Sequence, residues 1–139
     1  MRLNSLDAVV FFVSCKESIL VHCRSELPNE ACGYLFGRSG AITYNYPMTN
    51  VDRSETHFSF DPVEQFEAVR KAREMELDIV GIYHSHPLSK AEPSEEDIRL
   101  AQDPEMLHLI VSFQSSNADV KAFQIIQGRY ISVELCLKK

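Results

Sequence analysis

The apolar segments of this chain follow one another without a repeating unit. Ala8 to Val13 (AVVFFV) reads as a short buried strand. From about Lys16 to Leu27, Ile19, Cys23 and Leu27 recur at helical spacing beside Leu20, and Pro28 ends the stripe. Cys32 to Gly37 (CGYLFG) and Ala41 to Tyr46 (AITYNY) flank Arg38-Ser39-Gly40, a hairpin signal. Asp61-Pro62 opens a second helix, with Val63, Phe66, Val69 and Ala72 along its expected apolar face. Ile79 to His84 is a buried strand entering a polar loop, and a short helix begins near Ser94. Three β-like runs follow, Leu107 to Phe113, Val120 to Ile126 and Tyr130 to Leu137. The order is β, α, several β, α, β, short α, several β, which is a mixed α/β domain of α+β character and not a βαβ array. Asn50 to Phe60 (NVDRSETHFSF) is the least patterned stretch and is expected to be a surface loop, open to mobility.

With no internal repeat and no low-complexity linker, the 139 residues make one expected domain, 1–139, long enough to bury a sizeable core. The formal net charge of -6, from 14 Lys+Arg against 20 Asp+Glu, argues against nucleic acid as a partner. Ala8 to Val13 is too short to span a bilayer, and it lacks the basic leader and cleavage site of a secretory signal. A cytoplasmic protein with no membrane partner is therefore expected. Cys15, Cys23, Cys32 and Cys136 contain no Cys-x-x-Cys pair, so neither a zinc ribbon nor a thioredoxin-type motif is suggested. Reduced thiols are the expectation.

Potential metal ligands are densest at His84-Ser85-His86-Pro87 and, shortly after, Pro93-Ser94-Glu95-Glu96-Asp97. On an extended backbone, residues two apart point to the same side, roughly 6.5–7 Å apart, so His84 and His86 can converge on one ion. The chain can turn through Pro87 and Pro93 and bring Asp97 back from the next helix. Two imidazoles and a carboxylate suit Zn²⁺, with a fourth position left for water. Each piece also has a plain structural reading. Paired histidines occur on solvated strand ends. Ser94 with Asp97 resembles a capping box, and Glu95 and Glu96 suit the positive end of a helix. A residue can begin a helix and serve a site at once.

Taken together, an upstream Glu30 in Pro28-Asn29-Glu30-Ala31-Cys32-Gly33, then His84-Ser85-His86-Pro87, seven residues, and Ser94-x-x-Asp97 resemble the JAMM (JAB1/MPN/Mov34-type) zinc metallopeptidases. The surrounding pattern fits over nearly the whole chain. The resemblance implies the JAB1/MPN fold, a cytidine-deaminase-like sheet flanked by helices in a single compact domain. It implies one Zn²⁺ per chain held by His84, His86 and Asp97. Glu30 would be the general base and proton shuttle, and Ser94 the donor to the oxyanion. Ser85 and Pro87 would shape the ligand loop. Without the family pattern, Glu30 reads as a solvated loop or strand-entry residue. Cys32 is expected as a buried small residue on the Glu30 side of the strand. His22, His57 and His108 read as ordinary surface or core histidines, with His57 the one to watch.

Members of this family cleave peptide or isopeptide bonds after the C-terminal tail of ubiquitin or a ubiquitin-like protein. With only about forty residues after Asp97, the chain is similar to the small stand-alone prokaryotic members and not to the insertion-bearing eukaryotic ones. The implied substrate is a ubiquitin-like β-grasp or sulfur-carrier protein, cut next to its Gly-Gly tail, bound as an added strand beside a sheet edge. A homodimer is possible. The rival readings are a metallohydrolase acting on an unrelated peptide and a non-catalytic scaffold of the same fold.

Overall fold

A computed structural model describes residues 7–38 and 40–139. They form β1 (Ala8–Phe12), α1 (Val13–Glu26), β2 (Cys32–Arg38), β3 (Ala41–Met48), α2 (Pro62–Glu74), β4 (Asp78–His86), α3 (Glu95–Leu100), β5 (Leu107–Ser112), β6 (Asp119–Ile126) and β7 (Arg129–Lys138). This is the mixed α/β order expected, with differences at the ends of elements. Val13 belongs to α1, so the first strand runs into the helix without a loop.

The strands order as β1-β3-β2-β4-β5-β6-β7, and β1 pairs in parallel with both β3 and β7. The sheet flanked by helices is thus found with its two edges joined, closing it into a barrel. The β1–β3 seam is short, pairing only Val10 with Ala41 and Phe11 with Ile42 among the described residues. β2 is antiparallel to β3 and β4, whereas β4 and β5 run parallel. A parallel pair needs a crossover, and here residues 87–106, with α3 inside them, return the chain across the end of β4.

Alternation along β2 sorts its side chains between two apolar layers. Leu35 packs with Cys15, Ile19 and Cys23 of α1, with Tyr83 of β4 and with Leu109 and Val111 of β5. Cys32, Tyr34 and Phe36 face the other way, against Ala68 and Ala72 of α2. Gly33 is required by a close approach, because a Cβ there would collide with the Tyr83 ring and the Tyr46 carbonyl.

The expected apolar face of α2 is overturned. Ala72 is buried, but Val63, Phe66 and Val69 are exposed at 66%, 68% and 43%. Three residues turn an α-helix by about 300°, so a strict three-residue repeat drifts by about 60° per step and is half-way round after three steps. Val63 and Ala72 therefore face opposite directions. The buried seam is the four-residue pair Ala68 and Ala72, small enough to let the helix approach the sheet. The α1 stripe holds at Ile19 and Cys23, whereas Leu27 caps the helix and is exposed.

All four cysteines are unpaired, three of them buried and Cys136 exposed. No helix among the described residues is long and apolar enough to cross a membrane.

Candidate metal centre

The end of β4 presents His84 and His86 on one face and Ser85 on the other, as a period of two demands. All three are buried. Ser85 turns into the sheet, where its Oγ accepts the Ala31 N–H at 2.8 Å and its own N–H donates to the Ala31 carbonyl at 3.0 Å. The tip of β4 is thereby fastened to the segment that carries Glu30. The Phe113 N–H donates to the His86 carbonyl at 3.1 Å and holds the strand end from the β5 side.

Asp97 is aimed by the start of α3. Ser94 is the N-cap and Asp97 the third helical residue of a complete capping box. The Asp97 N–H donates to Ser94 Oγ at 3.0 Å, and the Ser94 N–H donates to Asp97 Oδ2 at 2.9 Å. That same Oδ2 lies 3.1 Å from His84 Nε2 and 3.3 Å from His86 Nε2, and the two Nε2 atoms are 3.0 Å apart. The capping-box reading of Ser94-x-x-Asp97 holds, and the cap places the Asp97 carboxylate against both imidazoles. The Ser94 hydroxyl accepts in the cap, which leaves its proton free to donate elsewhere.

This donor set fits a metal ion. The His86 Nδ1–H donates to the Lys90 carbonyl at 2.7 Å, an outer contact that fixes the ring and directs Nε2 into the cluster. The ligand atoms of His84, His86 and Asp97 all lie within 4.8 Å of one another. Burial by itself would lower the His86 imidazole, but its bonds to Asp97 and the Lys90 carbonyl raise it. Burial would likewise raise the Asp97 carboxyl, but hydrogen bonds from His84 and His86 hold it well below the usual range. The cluster attracts positive charge, whether proton or metal. Two imidazole nitrogens and one carboxylate are the ligand types of a catalytic zinc site.

Glu30 stands just before β2 and is buried at 4% exposure, with Oε1 unpartnered. Burial pushes its carboxyl up to about 8, His86 pulls against that shift, and Asp97 and Glu96 add to it. Glu30 is therefore no solvated loop residue. It is a desolvated carboxyl within electrostatic reach of His86 and Asp97. Cys32, opposite His84 in the strand register, is fully buried among Tyr34 and Phe36 and is not in the cluster.

The stretch from Asn50 to Phe60, expected as an unpatterned surface loop, is closed around a buried residue. Asn50 Nδ2 donates to the carbonyls of Glu30 and His57, each at 3.0 Å. Phe58, near the other end, stacks on the His84 ring with centroids 4.8 Å apart. His57 pairs with Asp52 at 3.0 Å and is not in the cluster. A cavity of about 340 Å³ opens beside His84 and Asp97, walled by Phe58, Phe60, Leu100 and Met106. His108 lines it too, buried with Nε2 unpartnered, and burial, with His84 acting the same way, lowers its pKa to about 4. A larger cavity of about 580 Å³ borders the loop at Asn50 and Arg53 but contains no cluster residue, so its size carries no catalytic weight.

Asn50, Phe58 and the contacts of Ser85 went unread in the sequence. A lone Asn in a polar loop looks like any turn residue, and no periodicity marks it. His22 is half-buried, with Nδ1 2.7 Å from the Tyr83 hydroxyl, and is a packing residue as expected.

Residues 13–126 match the prokaryotic homologs of the JAB domain. The chain is 30% identical over 131 residues to the CysO-cysteine peptidase of Mycobacterium tuberculosis, covering 92% of this chain and 90% of that one. It is 36% identical over 104 residues to the desampylase of Haloferax volcanii, covering 70% of this chain and 75% of the relative. A solved structure of a Desulfitobacterium hafniense protein superposes with a TM-score of 0.87 at 40% identity, covering 94% of this chain and 93% of its own. The chain belongs to the prokaryotic JAB-domain family, and it is a hydrolase of the JAMM type.

Proposed function

We propose that this chain is a zinc-dependent peptidase or isopeptidase that cuts the amide bond after the C-terminal Gly-Gly tail of a ubiquitin-like or sulfur-carrier protein. His84, His86 and Asp97 are the metal ligands, Glu30 the general base and Ser94 the oxyanion donor. The observation that carries this reading is the single Asp97 oxygen lying 3.1 and 3.3 Å from the two imidazole nitrogens, beside a buried carboxyl that carries no other partner on Oε1. The substrate class is supported by the names of the two relatives, a CysO-cysteine peptidase and a desampylase. Four unpaired thiols suit a cytoplasmic setting.

A zinc ion bound by these residues supplies a Lewis acid for the attacking water and the scissile carbonyl. Glu30 accepts the proton that the water gives up as its oxygen bonds to the carbonyl carbon. The same carboxyl, now protonated, gives that proton to the departing nitrogen as the C–N bond breaks. The Ser94 hydroxyl proton, unused in the cap, meets the negative charge on the carbonyl oxygen, an effect typically worth about 10²–10³ in rate.

The test is incubation of the purified zinc-loaded protein with ubiquitin-like proteins that carry a C-terminal amino acid, a short peptide or a lysine-linked protein. Mass spectrometry is expected to show cleavage after Gly-Gly that chelation abolishes. If none of these conjugates is shortened while an unrelated peptide is cut, the substrate assignment is wrong.

A further inference from the structure

Glu30 is held by its backbone, not by its side chain. Its N–H donates to the Ser54 carbonyl at 2.8 Å, and its carbonyl accepts from Asn50 Nδ2 at 3.0 Å. Both partners lie in the one loop between β3 and α2. Asn50 is buried and fully used, because Nδ2 also reaches the His57 carbonyl at 3.0 Å. Its Oδ1 accepts the N–H groups of Asp52 at 3.0 Å and Ser59 at 3.3 Å. That fills both donors and both acceptor positions of an amide side chain. The β2 ladder begins only at Cys32, so it does not fix Glu30 itself. The same loop sets Phe58 against the His84 ring, so one turn of chain bears on both the acid and a metal ligand.

We infer that Asn50 is a positioning residue for Glu30, setting where the carboxyl stands relative to the cluster without touching the reacting atoms. The inference rests on Glu30 acting as the base. A carboxyl whose Oε1 has no hydrogen bond of its own takes its place from its backbone, and Asn50 grips the carbonyl of the peptide unit whose N–H Ser85 holds. Displacing a catalytic group by about 1 Å costs on the order of 10²-fold in rate.

Asn50→Asp keeps an oxygen for the Asp52 and Ser59 N–H groups but sets its second oxygen against both the Glu30 and His57 carbonyls. Asn50→Ala removes both sets of contacts. Amide hydrogen exchange is read first, because it needs no substrate. In Asn50→Asp the Glu30 amide is expected to exchange at least about tenfold faster, while amides of β5 keep wild-type protection. Zinc content is expected to stay at the wild-type level. With a cleavable conjugate, kcat is expected to fall roughly 10²-fold and KM to move by less than about threefold. In the Glu30→Gln background the same substitution is expected to cost less than about threefold, because it acts through a group already disabled. An equal loss of kcat in both backgrounds would overturn the inference, as would unchanged exchange at Glu30. If the wild-type protein cuts no conjugate, the functional reading fails, and the exchange at Glu30 alone decides whether Asn50 holds it.

Discussion

Ser94 and Asp97 grip each other through two bonds of 3.0 and 2.9 Å, and the Asp97 oxygen in that exchange is the one 3.1 Å from His84. The helix cap and the candidate metal ligand are one construction. Ser94→Ala is therefore expected to cost about 1 kcal/mol of stability through the lost cap. It should also weaken zinc binding about 10–100-fold by loosening a ligand's outer support, and lower kcat further. Asp97→Asn keeps an oxygen for the Ser94 N–H but gives up the ligand charge. It should retain the cap and lose zinc outright. Metal analysis and thermal melts of the two variants, side by side, check the division.

Glu30→Gln is expected to keep zinc and lose most turnover. In the metal-free protein it should also be stabilising. A carboxyl raised from 4.5 to about 8 binds its proton more tightly when folded. Its contribution is therefore full below pH 4.5 and is lost as pH rises through 8. Glutamine never ionises, so it escapes that loss, which is on the order of 5 kcal/mol at full extent. Melting temperatures of the two metal-free proteins should differ little near pH 4.5 and diverge by roughly 15 °C at pH 8 and above. Parallel curves across that range would show that Glu30 is not desolvated as described.

Ser85→Ala leaves the buried Ala31 N–H without its acceptor. A loss of about 1–3 kcal/mol is expected in urea denaturation. The histidines on either side remain on the β4 ladder, so zinc stoichiometry should be unchanged while turnover falls with the displaced Glu30 segment. Loss of zinc in this variant would mean that Ser85 orders the ligands and not the base.

The order of elements was legible because strand runs and turn residues are local signals. The cluster of His84, His86 and Asp97 was legible because two histidines two apart on a strand share a face and a turn through two prolines can return the next helix start to them. What escaped depends on distant partners. Closure of the barrel by β1 pairs residues 8–12 with residues 134–138, and nothing in AVVFF announces a parallel partner so far away. The α2 face was misread because a three-residue repeat looks amphipathic over one turn and is not over three. Glu30 was placed by resemblance alone, since its meaning comes from Ser54, Asn50 and Ser85, which approach from two other segments. His108 sits in a run whose residues are all buried, so alternation could not mark the face it lines.

His108 supplies an acid-sensitive element. Burial, with His84 pushing the same way, lowers its pKa from 6.5 to about 4, so the folded protein resists protonating it while the unfolded chain does not. Its contribution to stability is therefore complete above pH 6.5 and is lost as pH falls toward 4, about 3 kcal/mol over that window. His108→Gln keeps a polar group of similar length without the titration. The metal-free variant should lose less stability than wild type between pH 6.5 and 4, and the difference should vanish on the alkaline side of the window. Denaturant midpoints at pH 4, 5, 6 and 7 read this directly. A variant curve running parallel to wild type at all four values would mean that His108 is not the source of the acid sensitivity.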